Sequence, residues 1–206
     1  MTPQAVIFDI GNVLIEWQPE RFYDAAIGEA RRRAMFAAVD LHAMNDRVDA
    51  GGSFAGEIAR TAGGWPEHAE AIRLWHSNWL DMARPAIAHS VRLMRALRQR
   101  GVPVFILSNI GQEPFAMACR DYPFLEECDR LFLSGAMGVT KPDPQIYALL
   151  EQGCGLPPEA LLFTDDRAEN IDAAAARGWQ VHHFTGADGL ARRLVAEGLL
   201  TEREAI

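Results

Sequence analysis

Short apolar runs that each end in polar residues set the strongest constraint on the fold of this chain. Val6-Ile7-Phe8 runs into Asp9, Val102 to Leu107 runs into Ser108-Asn109, and Leu161-Leu162-Phe163-Thr164 runs into Asp165-Asp166. Runs of this length, bounded by turn residues, read as strands buried on both faces of a parallel sheet. Between them apolar residues recur at helical spacing, as with Ile87, Val91, Met94 and Leu97 before Gly101. Strand and helix therefore alternate, which predicts an α/β fold with a doubly wound parallel sheet. In such sheets ligands bind beyond the carboxyl ends of the strands. Asp9, Ser108, Asn109, Asp165 and Asp166 are expected at that edge.

The segment between the first two runs differs. From Trp17 to about Arg84 the pattern is helical, with no run of β-branched residues. Pro19 and Pro66 suit first helical positions, Ser53 suits an N-cap, and Ile72, Trp75 and Trp79 share one helix face. Residues 17–84 are therefore expected to form a helical cap inserted into a core built from 1–16 and 85–206. Trp65, Trp75 and Trp79 are assigned to the interior of the cap, and Trp17 either to substrate or to packing between cap and core. Later in the core a strand is expected over 129–134, helices over 145–152 and 168–177, a strand over 180–184, and a last helix capped by Asp188.

The 206 residues are 49% hydrophobic and 23% charged, the balance of a packed core rather than a disordered chain. A net charge of −8 excludes a basic nucleic-acid footprint. An anionic substrate must then be drawn locally, by a metal and a lysine, and not by the overall field. Cys119, Cys128 and Cys154 are odd in number and form no CxxC pair, so reduced thiols are expected. The first apolar run is too short for a signal peptide or a membrane span, which predicts a cytoplasmic protein with no membrane partner.

The chemistry follows from what converges at one sheet edge. Asp9 is a nucleophile, Ser108 a hydroxyl donor, Asp165-Asp166 a carboxylate pair. The loop Gly138-Val139-Thr140-Lys141-Pro142-Asp143-Pro144 presents a single cation. This set suits phosphoryl transfer through a phosphoaspartate. Asp9 would attack phosphorus while Ser108 and Lys141 bind the remaining oxygens. Mg2+ held by Asp9 and the later pair would draw off charge. Singly, each residue has a plainer reading: Asp9 as a turn cap, Ser108-Asn109 as a turn, Lys141 as a solvated surface residue. Adjacent carboxylates repel, however, and imply a nearby cation. Asn170 is expected to orient that loop or a metal-bound water. None of the six histidines makes a metal-ligand pattern.

In order and spacing, these four segments resemble the four motifs of the haloacid dehalogenase-like hydrolase superfamily, from Val6 to about Gly178. The lead Phe-Asp-Ile-Gly-Asn-Val, the run Lys-Pro-Asp-Pro-Gln-Ile-Tyr and the Asp-Asp pair are most similar to its sugar-phosphatase branch, which includes bacterial α-D-glucose-1-phosphate phosphatases. The resemblance implies a Rossmann-like core of strand order 5-4-1-2-3. It implies Mg2+ ligands from Asp9, the Gly11 carbonyl, Asp165 and Asp166, with Asp166 the direct ligand of the pair and Asp165 joining it or acting through water. Ile10, Gly11 and Asn109 are the implied substrate contacts. The expected activity is Mg2+-dependent hydrolysis of a small phosphorylated metabolite such as a sugar phosphate.

One position departs from the pattern. Many phosphatases of the superfamily carry a second Asp two residues after the nucleophile, as general acid and base. Here that position is Gly11, whose backbone freedom would instead let the loop turn sharply toward a ligand. A general acid is worth about 10^2 to 10^4 in rate. Either the leaving group departs readily, as an anomeric phosphate does, or another donor exists, with Asp46 and Asp49 in the cap loop near 45–52 as first candidates. The same absence suits a metal-independent 2-haloacid dehalogenase, from which halide leaves unprotonated. That reading leaves Asp165-Asp166 unused, and the aromatic-Gly-Thr signature of those enzymes is missing. A non-catalytic phosphometabolite-binding protein is the third reading, opposed by the joint presence of Asp9, Ser108, Lys141 and Asp166.

Overall fold

The computed structural model describes residues 2–206. The central strand is β1 (Ala5–Phe8), every residue of which is buried. The other strands are β2 (Ile15–Trp17), β3 (Ala83–Ala86), β4 (Val104–Ser108), β5 (Arg130–Leu133), β6 (Leu161–Asp165) and β7 (Gln180–His183). Five of them form one parallel sheet in the order β5-β4-β1-β6-β7. With the sheet strands alone counted along the chain, this is the expected order 5-4-1-2-3.

Alternation along β1 divides the core. Val6 and Phe8 face one side with Val104, Ile106 and Leu162, while Ala5 and Ile7 face the other with Phe105, Leu107, Leu161 and Phe163. The helices Ala88–Gln99 and Ala187–Ala196 cover the first face through Leu93, Met94, Leu97, Leu190 and Leu194. The helices Pro144–Cys154 and Ala168–Ala176 cover the second through Ile146, Tyr147, Leu150 and Ala174. Burial on both faces explains why the strands read as unbroken apolar runs.

Between β1 and β4 lies a helical insert with helices Pro19–Ile27, Glu29–Ala38, Leu41–Asp49, Phe54–Gly64, Ala69–Ser77 and Trp79–Met82. Pro19 opens the first of these, and Ser53 Oγ accepts from Gly56 N at 3.2 Å to cap the fourth. Trp17 packs against Trp79 and Trp75, with ring centroids 5.5 and 5.9 Å away, and Tyr23 lies 6.1 Å from Trp75. Trp65 stands outside this cluster, 38% exposed, contrary to its expected place in the interior.

Two further features differ from the sequence reading. The insert is flanked by an antiparallel ribbon of β2 and β3, where no strand was expected. Ala83-Arg84-Pro85-Ala86 has no β-branched residue, so propensity conceals it; Pro85 is tolerated because a two-stranded ribbon is all edge. Asp188 does not cap the last helix. It lies inside that helix, whose N-cap is Gly186, and pairs instead with His89 Nδ1 at 3.1 Å. Among the described residues, no helix is long and apolar enough to cross a membrane.

Two core backbone segments, one at Gly135 and the other at Ile110 and Gly111, approach each other closely. A Cβ at Gly135 would lie 2.8 Å from Gly111 Cα and 2.9 Å from Ile110 O. Both obstacles are main chain and cannot rotate away. Gly135→Ala is expected to destabilise the fold by about 1–3 kcal/mol, measured as a lower urea midpoint with an unchanged m-value. By contrast Gly63→Ala, where a Cβ meets nothing within 4 Å, is expected to leave the midpoint unchanged or raised.

Candidate active site

The carboxyl ends of β1, β4 and β6 place their polar residues together. Asp9 follows Phe8 and its N–H donates to Thr164 O at 3.0 Å, tying the end of β1 to β6. Lys141 arrives from the loop before the helix Pro144–Cys154 and is buried. Its ammonium lies 3.0 Å from Asp9 Oδ1 and 2.6 Å from Asp165 Oδ2, and donates to Leu107 O at 2.9 Å. The plain reading of Lys141 as a solvated residue is therefore wrong. Its loop is held by Asn109, whose Nδ2 donates to Lys141 O at 2.9 Å and whose Oδ1 accepts from Lys141 N at 2.8 Å. The Asn109 side chain, expected to touch substrate, thus holds the Lys141 backbone, and the residue also lines the cavity.

The two neighbouring aspartates divide in function. Asp165 is fully buried. Its Oδ1 accepts from Arg167 N at 2.8 Å and Asn170 Nδ2 at 3.0 Å, and its Oδ2 from Asn170 Nδ2 at 3.0 Å besides the Lys141 ammonium. Asp166 instead faces the cavity, and its Oδ2 accepts from Asn12 Nδ2 at 2.9 Å. Asn12 went unnoticed in the sequence. It has φ 53°, and Asn is among the few residues that adopt such a conformation routinely. Its Oδ1 also accepts from Trp17 N at 3.0 Å, so one side chain joins the loop after Asp9, Asp166 and the ribbon. An Asn directly after the Gly of the first motif was the available signal. Gly11 itself needs no glycine conformation: the positive φ falls on Asn12, and a Cβ at Gly11 would meet only Trp17 Cβ, at 3.9 Å.

The cavity above these residues has a volume of about 390 Å³. Ile10, Gly11, Ser108 and Asn109 join Asp9, Lys141 and Asp166 on its core side. From the insert come Trp17, Trp79, His42, Asn45, Asp46 and Asp49. The expected cap loop near 45–52 is largely helix, since Leu41–Asp49 is helical and only the residues after it turn. Trp17 packs on the insert, as one reading expected, and also lines the cavity.

Electrostatics matches the burial. Desolvation raises the Asp9 pKa, Lys141 lowers it, Asp165 raises it, and Ser108 beside it lowers it. Burial pulls Lys141 down, but the carboxylates of Asp9 and Asp165 more than offset this, so its pKa is raised. Asp166 is raised, first by burial, against the hydrogen bond from Asn12 and with the repulsion of Asp165. Oxygens of Asp9, Asp165 and Asp166 all lie within 4.8 Å of one another. Asp9 Oδ1 is buried without a hydrogen-bond partner, and the Lys141 ammonium 3.0 Å away is its ion-pair contact. Three carboxylates against one ammonium, with an orphaned oxygen among them, fit a divalent cation with oxygen ligands.

Comparison with known proteins agrees with this architecture. The haloacid dehalogenase-like hydrolase model matches residues 3–178. The chain belongs to that family and is a hydrolase. It is 23% identical to D-ribitol-5-phosphate phosphatase of Bacteroides thetaiotaomicron, over 85% of this chain and 88% of that protein. It is 33% identical to haloacetate dehalogenase H-2 of a Moraxella species, over only 43% of this chain and 39% of that one. A crystal structure of a haloacid dehalogenase family enzyme from Bacteroides thetaiotaomicron shares the fold with TM-score 0.73 at 21% identity, covering 90% of this chain and 95% of that one. The same protein has been solved with magnesium and inorganic phosphate, at TM-score 0.69 and 20% identity. The relatives thus mix phosphatases with dehalogenases, and no single branch is singled out.

Removing one member of the buried triad leaves the others uncompensated. Lys141→Met should cost about 3–5 kcal/mol at neutral pH. Without the ammonium, the folded pKa of Asp9, already raised by burial, rises further above its unfolded value. The variant's stability is then retained in acid and lost as pH rises through that folded value. Urea titrations of native and variant protein should show the gap narrowing toward acid pH; a gap independent of pH would contradict this electrostatic account.

Proposed function

We propose that this chain is a Mg2+-dependent phosphatase that hydrolyses a small phosphorylated metabolite of the sugar-phosphate class, through a phosphoaspartate on Asp9. The observation that carries this reading is the cavity-facing Asp166 carboxylate beside the buried, orphaned oxygen of Asp9. Asp9, Asp166 and the Gly11 carbonyl are the groups proposed to hold the ion. Asp165, with all its donors already in place, acts by holding Lys141. Mg2+ bound there would draw charge off the phosphoryl oxygens.

The chain's own residues supply the rest. An Asp9 oxygen attacks phosphorus in line with the departing oxygen. Lys141, fixed by Asp165 and Leu107 O, keeps the nucleophile oriented and offsets charge as it develops. Ser108 and the backbone of Ile10, Gly11 and Asn109 bind the remaining oxygens. A cavity of about 390 Å³ suits a small metabolite. Glu16, Glu20 and Asp46 on its wall can accept from sugar hydroxyls, and Trp17 and Trp79 offer an apolar face to the ring. The action of the Bacteroides relative on D-ribitol 5-phosphate supports that substrate class.

Gly11 favours a second reading, the metal-independent 2-haloacid dehalogenase, because halide needs no proton to leave. One screen separates the two: phosphate release from a panel of sugar phosphates, and chloride release from 2-haloacids, each with Mg2+ and with chelator. Phosphate release that chelator abolishes and Mg2+ restores is expected. Asp9→Asn should fall to background while remaining folded, and Asp166→Ala should weaken Mg2+ binding more than Asp165→Ala. Chloride release undiminished in chelator, with no phosphate release, would establish the dehalogenase instead.

A further inference from the structure

One buried carboxyl in the cavity has no part in the chemistry described so far. Asp49 ends the helix Leu41–Asp49 of the insert and is 8% exposed. It lines the same cavity as Asp9. Its oxygens are held separately: Oδ1 accepts from Gly111 N at 3.1 Å, and Oδ2 from Asn45 Nδ2 at 2.8 Å. The Asn45 amide cannot turn over, because its Oδ1 accepts from Trp75 Nε1 at 3.2 Å and an indole N–H can only donate. The Asp49 carbonyl accepts from Ser134 Oγ at 2.6 Å. The carboxyl is therefore fixed from both sides where insert meets core, against the backbone that continues from Ser108-Asn109.

Its surroundings keep a proton on it. Burial raises its pKa most, the Gly111 N–H lowers it, Asp46 on its own helix and Asp9 at the end of β1 raise it, and Lys141 lowers it. The outcome is a pKa of about 8. At neutral pH the group is mainly a neutral acid facing the nucleophile's cavity, the state a proton donor requires.

We propose that Asp49 is the general acid and base of the phosphatase reaction, in place of the side chain that Gly11 lacks; this rests on the phosphatase reading above. In the first step an Asp9 oxygen bonds to phosphorus and the bond from phosphorus to the leaving oxygen breaks. The Asp49 proton passes to that oxygen, and an alcohol departs. In the second step water attacks phosphorus and gives its proton to the Asp49 carboxylate. The bond between Asp9 and phosphorus breaks, inorganic phosphate leaves, and both aspartates are restored. Asn45 is a positioning residue, holding the acid through one oxygen.

The test is kcat/KM with Mg2+ across phosphate monoesters graded from aryl to primary alkyl. The native enzyme should depend only weakly on leaving-group pKa. Asp49→Asn should lose about 10^2 to 10^4 in rate on alkyl esters and stay near native on aryl esters, which leave without a proton. An Asn satisfies only one of the two donors that the carboxyl satisfies, so some loss of stability is expected. Comparing ester classes on one preparation removes that effect. Adding Gly11→Asp should restore alkyl turnover, since the loop has room for a side chain. Should Asp49→Asn not fold, the native pH profile decides. Alkyl kcat/KM should fall as pH rises through about 8, while aryl kcat/KM holds. Equal loss on both ester classes, or matching native profiles for both, would overturn the role of Asp49. A native enzyme that releases phosphate from no ester would overturn the phosphatase reading itself.

Discussion

The Lys141 ammonium is the point on which the site depends. Its side chain is 1% exposed and reaches three strand ends at once, through Asp9, Leu107 O and Asp165. Taking three charges out of water is costly, and such a triad contributes little net stability over a well-packed apolar substitute. What it supplies is position. A carboxylate pair and a cation without water between them have few alternative arrangements, so Asp9 is held before any ligand arrives. The loop that delivers the ammonium is itself clamped, because Asn109 pairs with both backbone groups of Lys141.

The pair Asp165-Asp166 shows how adjacent identical residues acquire opposite roles. Successive side chains at a strand end point to opposite sides. Asp165 turns inward, where Lys141, Asn170 and Arg167 N meet its oxygens, and Asp166 turns outward to the cavity. Asn12 then steadies the outward carboxylate from across the edge. The chain thus has one aspartate to position its cation and another left open to a ligand.

Much of this was legible in the sequence because it is written in local pattern. The five sheet strands follow from apolar runs separated by helical periods, whereas their order is what the family resemblance implies. Asp9, Ser108, Lys141 and Asp166 stand out because each terminates a run or interrupts a turn-rich loop. What escaped depends on partners distant in the chain. The ribbon of β2 and β3 joins residues some seventy apart and lacks β-branched residues on one strand. Asn109 and Asn12 have roles set by Lys141 and Asp166, which lie far along the chain. Trp65 resembles its neighbours in type and spacing, yet it falls in the turn between helices and faces solvent. Asp188 sits two residues past the N-cap, Gly186, of a helix that Ala187 begins.

Both chain crossings between the sheet and the helical insert run through the single β2–β3 ribbon, so the insert leaves and returns at neighbouring points. Segments whose ends lie close together can be lengthened, shortened or replaced without disturbing the scaffold that carries them. Asp9, Ser108, Lys141, Asp165 and Asp166 all lie outside that excursion, whereas the cavity's outer wall and Asp49 lie within it. A single exchange of the segment would therefore remake the cavity's outer wall and remove Asp49 together, while the buried carboxylates and their ammonium are inherited intact.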